Sequence, residues 1–342
     1  MPRGVGQRIH DTTLKNTTAS HLGPFARVRH RSLHAIAAAG FLLAAGTATS
    51  RADILYGTNQ NANTVAKITS AGVASTFVNT GFVITLGLAF DSAGNLFVGD
   101  RAGTTIKKFT PGGVGTVFVP SGSGTLFQPR GMAFDSAGNL YVANNTNSTI
   151  EKFTTAGVGS VFASTGVNTP EGIAFDSAGN LFVANGNSTI MKFDTAGVGT
   201  LFASGAGVSN PFGVSNPFGV AFDGAGNLFV GNVGNDTITR YTPGGVGSIF
   251  ANNAGNVSVP IGLAFDTAGS LYVAQQNSGV YKFTAGGVGT PFGAGAANEY
   301  LAFTTDAGVP LPLANQTPEP TSVALAGFGA LALLSRARRR KT

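Results

Sequence analysis

From residue 53 onward the chain alternates short apolar runs with polar, glycine-bearing turns. One block carries the pattern: Gly87-Leu-Ala-Phe-Asp-Ser-Ala-Gly-Asn-Leu-Phe-Val98, returning at Gly131 to Val142, Gly172 to Val183, Gly219 to Val230 and Gly262 to Val273. Gly-Leu-Ala-Phe reads as a strand, and Leu-Phe-Val as the strand that follows it. Asp91-Ser-Ala-Gly-Asn95 between them is turn chemistry, because an Asp carboxylate bonds amides two residues on and Gly takes positive φ. Thr149-Ile-Glu-Lys-Phe153 then alternates like a half-buried third strand, and Gly159-Ser-Val-Phe-Ala163 follows a glycine turn as a fourth.

The five copies start 44, 41, 47 and 43 residues apart, the period of one four-stranded propeller blade. Two fragments complete the count. Asp53-Ile-Leu-Tyr56, Thr64-Val-Ala-Lys-Ile68 and Ala74-Ser-Thr-Phe-Val78 match second, third and fourth strands, while Tyr300-Leu-Ala-Phe303 matches a first strand. Joined, they predict a sixth blade drawn from both termini, which closes the ring and leaves no free edge between first and last blades. The expected fold is therefore all-β, a six-bladed β-propeller over 53–313, preceded by an N-terminal extension and signal peptide over 1–52 and followed by a linker and sorting segment over 314–342.

Composition agrees with many short strands: 50 Gly, 26 Phe, and only 11% charged residues. The net charge of +6 belongs to the ends, since the body sets nine basic residues against 14 acidic ones and has no basic stripe to follow phosphates. Nucleic acid is not an expected partner. All four His precede residue 52 and Cys is absent, so the body has no means for Cys or Ser–His nucleophilic catalysis or for a His-bound zinc.

The ends read as addresses. Arg27, Arg29 and Arg31 precede an apolar run from Ala35 to Gly46 and the small-residue frame Ser50-Arg51-Ala52, a secretory signal for signal peptidase. At the other end Pro318, Glu319 and Pro320 come before an apolar stretch from Val323 to Leu334, then Arg336, Arg338, Arg339 and Arg340. That order resembles the PEP-CTERM sorting signal of Gram-negative bacteria. The resemblance implies transient inner-membrane insertion by a short C-terminal helix, recognition and processing by exosortase, and a secreted or cell-surface product. Positive charge held on the cytoplasmic side is the physical basis of such a stop.

Gly172-Ile-Ala-Phe-Asp176, Gly179-Asn-Leu-Phe-Val-Ala-Asn185 and Asn187-Ser-Thr-Ile190 resemble the units of NHL-repeat propellers, a likeness running from about Asp53 to Gly308. Many members of that family place Arg before the third-strand Ile for charged partners. Here that position holds Thr105, Thr149, Thr189 and Thr237.

Two sets of residues are candidates for binding. The position before the repeat's first Gly falls near the channel mouth and reads Leu86, Arg130, Glu171, Phe218, Ile261 and Glu299. The position after the second strand reads Thr58, Asp100, Asn144, Asn185, Asn232 and Gln275. The second set offers oxygen ligands for sugar hydroxyls or Ca²⁺. Its competing and preferred role is bonding the backbones of neighbouring blades, so no cofactor or metal is expected. The repeated Asp91, Asp135, Asp176, Asp223 and Asp266 read as turn caps.

No catalytic residue is assigned. The expected function is an exported, non-enzymatic binding or scaffold protein of the cell-surface or exopolysaccharide matrix, its partner an extracellular polysaccharide or protein. The alternative is a channel-site lactonase- or lyase-like hydrolase using Glu171, Glu299 and a metal at the axis. Against it stand the sparse carboxylates, unlike the Glu, Asn and Asp site of gluconolactonase-type propellers, and the lack of the His on which virginiamycin lyase-like propellers rely.

Overall fold

The structure is a computed structural model and describes residues 53–205, 213–276, 278–293 and 295–305. The signal peptide expected over 1–52 and the linker and sorting segment expected over 314–342 lie outside the described residues. Within them, 24 strands form six four-stranded antiparallel sheets, a six-bladed propeller. Among the described residues no helix is long and apolar enough to cross a membrane.

Blade I is typical, with strands Thr85–Phe90, Leu96–Asp100, Thr105–Phe109 and Gly115–Val119 in sequence order. Blades II to V begin at Pro129, Pro170, Pro217 and Pro260 and repeat that order. Blade VI is the composite: Leu301–Thr305 pairs with Asp53–Asn59, and Thr64–Ile68 and Ala74–Val78 lie outside them. Its pairing of Leu55 with Phe303 reproduces that of Leu96 with Phe90 in blade I. The second strands of blades I to V are buried at every residue. Neighbouring blades cover both faces of each sheet, so these strands read as continuous apolar runs.

Two repeated contacts hold the blades together. At each of the six interfaces an aromatic ring on a second strand meets a Phe of its own fourth strand or the residue after it, and the Phe ending the next blade's first strand. Phe182 does so with Phe202 and Phe222, Tyr56 with Phe77 and Phe90, all edge-to-face. Centroid separations at the six inter-blade pairs are 4.9 to 5.1 Å. Such pairs contribute roughly 0.5–1.5 kcal/mol beyond their area burial. In four blades a third-strand Lys lies over the second-strand ring and reaches the turn Asp, as Lys192 does over Phe182 towards Asp176.

Nearer the axis, the repeat's first Gly lets adjacent first strands touch backbone to backbone. A Cβ on Gly131 would stand 2.5 Å from the Glu171 carbonyl oxygen, and one on Gly87 or Gly262 would collide with the carbonyl of Arg130 or Glu299. The side chain is excluded by space here, not by backbone conformation.

Gly131→Ala is therefore expected to destabilise the propeller by about 1–3 kcal/mol through overpacking, and Phe182→Ala by about 3–5 kcal/mol through the cavity left at an interface. Gly224→Ala, where a Cβ meets open space, is expected to change stability by less than about 0.5 kcal/mol. Guanidinium unfolding of the three variants checks the order.

Candidate axial site

In blades I to V the first strand begins with a feature that turns its second residue out of the ladder. Pairing with the second strand skips between Pro129 and Met132, Pro170 and Ile173, and Pro217 and Val220, so Arg130, Glu171 and Phe218 sit at irregularities that re-aim side chains. The residue before each proline, Gln128, Thr169, Asn216 or Val259, is left-handed with φ of 54°, 38°, 43° and 45°, a conformation costly for any residue but Gly and disfavoured before Pro. Tertiary hydrogen bonds impose it: the Gly186 amide donates to the Thr169 carbonyl at 3.2 Å, and the Thr169 amide donates to Ser148 Oγ of the preceding blade at 3.0 Å.

Five blades send residues to the axis at this end. Arg130 Nη1 donates to Glu171 Oε2. Asn145 Nδ2 donates to Glu171 Oε1 at 3.0 Å and to the Pro170 carbonyl at 3.3 Å. The Arg130 guanidinium lies 5.5 Å from the centre of the Phe218 ring, and Arg101 Nε donates to Gln128 Oε1 at 3.4 Å. Glu299 and Tyr300 come from blade VI, Glu299 only 3% exposed. Glu299 Oε1, Arg130 Nε and Tyr300 Oη are buried without a hydrogen-bond partner.

Burial pushes the carboxyl of Glu171 up to about 7, against the pull of Arg130, Asn145 and Arg101. Glu299 rises to about 7 by burial, with Arg130 opposing and the Glu171 charge adding to the rise. Burial holds the Tyr300 hydroxyl well above its ordinary value.

Tyr300 escaped the sequence reading although a signal was present, since it stands where the other five blades have the packed Gly. Its ring fills the closing seam with Tyr56, Leu86, Leu88 and Val98.

The amide set lies elsewhere and has other work. Asp100, Asn144, Asn185, Asn232 and Gln275 are buried, and each accepts a backbone N–H from the loop leading into its own blade: from Ile84, Phe127, Asn168, Ser215 and Ser258 respectively. The amide ends donate as well, Asn185 to the Gly166 carbonyl at 2.9 Å and Gln275 to the Asn256 carbonyl at 2.8 Å. These five side chains clamp incoming loops. The register also corrects blade VI. Asn59 opposite Thr64, not Thr58, matches Asp100 opposite Thr105. Thr58 is fully buried and its hydroxyl donates to the Leu86 carbonyl at 2.6 Å across the closing seam.

The turn aspartates are caps: Asp135 Oδ1 accepts the amides of Ala137 and Asn139 at 3.0 and 2.8 Å, and Asp91, Asp176 and Asp223 repeat this. An axial metal finds no fitting ligand set. Among the described residues no three of His, Cys, Asp and Glu gather in a metal-ligating group, and two guanidiniums stand close to the two axial carboxylates.

In the unfolded chain both axial carboxyls titrate near their ordinary 4.5, and in the folded chain at about 7. The folded state then holds more protons over that interval, so their contribution to stability is full below 4.5 and is lost as pH rises through about 7. Glu299→Gln removes one titrating group, and thermal melting across the interval is expected to show a shallower fall than in the unsubstituted chain. Equal slopes would contradict the assignment.

Comparison with known proteins agrees with this architecture. Residues 115–150 match the profile of a β-propeller repeat and residues 316–340 that of the PEP-CTERM protein-sorting motif. No curated protein matches the sequence. Among solved structures, a chain of a nidogen/laminin complex is similar at 19% identity and a TM-score of 0.62, covering 74% of this chain and 98% of that one. Virginiamycin B lyase from Staphylococcus aureus aligns at 18% identity and 0.56, covering 73% and 87%. A gluconolactonase from Xanthomonas campestris aligns at 15% identity and 0.57, covering 74% and 92%. At such identities the likeness shows the fold alone. The chain is a six-bladed β-propeller with a C-terminal PEP-CTERM sorting motif, which points to exosortase recognition and export to the cell surface of a Gram-negative bacterium.

Proposed function

We propose that this chain is an exported, non-enzymatic propeller that binds or scaffolds polysaccharide or protein in the cell-surface matrix. The observation that carries the reading is the sorting motif over 316–340, attached to a fold whose repeated polar side chains are already engaged in holding it together. Signal peptidase and exosortase act on the chain during export, with the C-terminal segment inserted transiently in the inner membrane, and the propeller is the part that remains. A body without His or Cys supports a binding role over nucleophilic catalysis.

A second reading rests on a specific observation. Glu171 and Glu299 are buried together, with carboxyls near 7 beside Arg130, which suits a general acid and base for opening a lactone or eliminating across a sugar ring. The structurally similar lyase and gluconolactonase make such substrates the ones to offer.

Replacing Pro318, Glu319 and Pro320 by Ala is expected to leave the chain uncleaved and in the membrane fraction of an exosortase-bearing host, by fractionation and intact mass. Unchanged processing would remove the sorting step. The purified exported chain is expected to co-sediment with extracellular polysaccharide and to leave lactones and glycosides unchanged. Turnover reduced about a hundredfold or more by Glu171→Gln, within the range for a lost acid or base, would establish the second reading instead.

A further inference from the structure

Among the described residues, unassigned polarity gathers in one group at the axis. Among the described residues seven side-chain polar atoms are buried without a partner, and three of them, Arg130 Nε, Glu299 Oε1 and Tyr300 Oη, belong to this one cluster. A buried donor or acceptor left unmade carries a real free-energy cost, and native structures keep such groups where something else satisfies them. Arg130 nonetheless keeps 16% of its side-chain surface exposed, so the cluster is not wholly sealed.

We infer that this cluster is a binding site for an uncharged, hydroxyl-rich group, the edge of a neutral sugar residue in a polysaccharide. The inference rests on the binding reading above and names its site and ligand class.

Three features select that chemistry. The first is hydrogen-bond sense: Arg130 Nε can only donate, Glu299 accepts when ionised and also donates when protonated, and the Tyr300 hydroxyl does either. A pair of neighbouring hydroxyls meets all three, because each hydroxyl both gives and takes a hydrogen bond. An ether or an ester carbonyl has nothing to give Glu299 in its ionised form.

The second is charge. Arg101 and Arg130 act on the same two carboxylates, Glu171 and Glu299, so the cluster is balanced. An anion entering it faces both carboxylates and a cation faces both guanidiniums, each at close range in a medium that screens poorly. A neutral group escapes both penalties.

The third is shape of polarity. The equivalent first-strand positions in blades I, IV and V are Leu86, Phe218 and Ile261, so the neighbouring pair Arg130 and Glu171 is followed around the ring by two apolar positions, and Glu299 stands between Ile261 and Leu86. Phe218 is half-buried under the Arg130 guanidinium. A pyranose divides its surface likewise, with hydroxyls at the edge and C–H groups on the face.

The test uses the full exported chain with methyl glycosides of glucose, galactose and mannose as neutral probes, and glucuronate and glucosamine as charged counterparts, each titrated by NMR and calorimetry. Co-sedimentation with extracellular polysaccharide runs in parallel. At least one neutral glycoside is expected to bind and to shift the Arg130 Nε–H resonance, with charged counterparts at least tenfold weaker. Glu299→Gln, an isosteric change, is expected to weaken binding at least tenfold, and Val158→Ser on an exposed turn is expected to leave it unchanged.

Tighter binding of a charged probe overturns the ligand class. Glycoside binding that leaves the Arg130 Nε–H signal in place, or survives Glu299→Gln, overturns the location; the resonance reads the unsubstituted chain, so a misfolded variant cannot mask the result. Polysaccharide that co-sediments while no neutral probe binds sinks this inference and leaves the broader binding reading intact. Failure of both assays removes the two together.

Discussion

The contact between neighbouring blades is the constraint on which everything else depends. A single four-stranded sheet of five-residue strands has two apolar faces and cannot bury either alone. Each face is closed by the same device, an edge-to-face aromatic meeting of a second-strand ring with the next blade's Phe, repeated at all six interfaces. The abundance of Phe in a chain without Trp follows from this use. So does the rigidity of the ring, because the rings meet at nearly constant separation while the first-strand glycines bring backbones into contact nearer the axis.

Close approach at the glycines has a functional consequence. In blades I to V there is no side chain at that position, and a pairing irregularity turns the residue before it out of the ladder. Each blade thus carries one variable residue at this position. In three blades that residue is apolar; in the other three it is Arg130, Glu171 or Glu299. Tyr300 is the departure that accompanies the closing seam, where the terminal strands must meet and a ring takes up space that Gly leaves empty elsewhere.

A repeat also separates structural polarity from the rest. Polar residues that recur from blade to blade, such as the five turn aspartates and the side chains after the second strand, are engaged within the fold: Asp135 caps its turn, and Asn185 holds Asn168 and Gly166 of its incoming loop. Polar residues found in one or two blades have no repeated structural task. The axial cluster is made entirely of such exceptions, and it holds three of the seven unpartnered buried side-chain atoms among the described residues.

Blade number, strand positions and the composite closure were legible in the chain, because a block returning every 41 to 47 residues leaves few ways to bury its apolar faces. Third and fourth strands at Thr149–Phe153 and Gly159–Ala163 lie where the alternation placed them. Register in blade VI was not legible: without the Gly-Asn-Leu cue, Thr58 and Asn59 are equally plausible partners for the repeat, and pairing with Thr64 decides for Asn59. The amides were ambiguous for a chemical reason, since a side chain able to hold a sugar hydroxyl can equally hold a loop amide. Local sequence determined the blades, where the deciding contacts are mostly within one repeat or with the next. The repeat put Arg130, Glu171 and Glu299 at equivalent positions, and only the tertiary structure decided how they meet, because they belong to different blades and ring closure is what brings Glu299 towards Arg130 and Glu171.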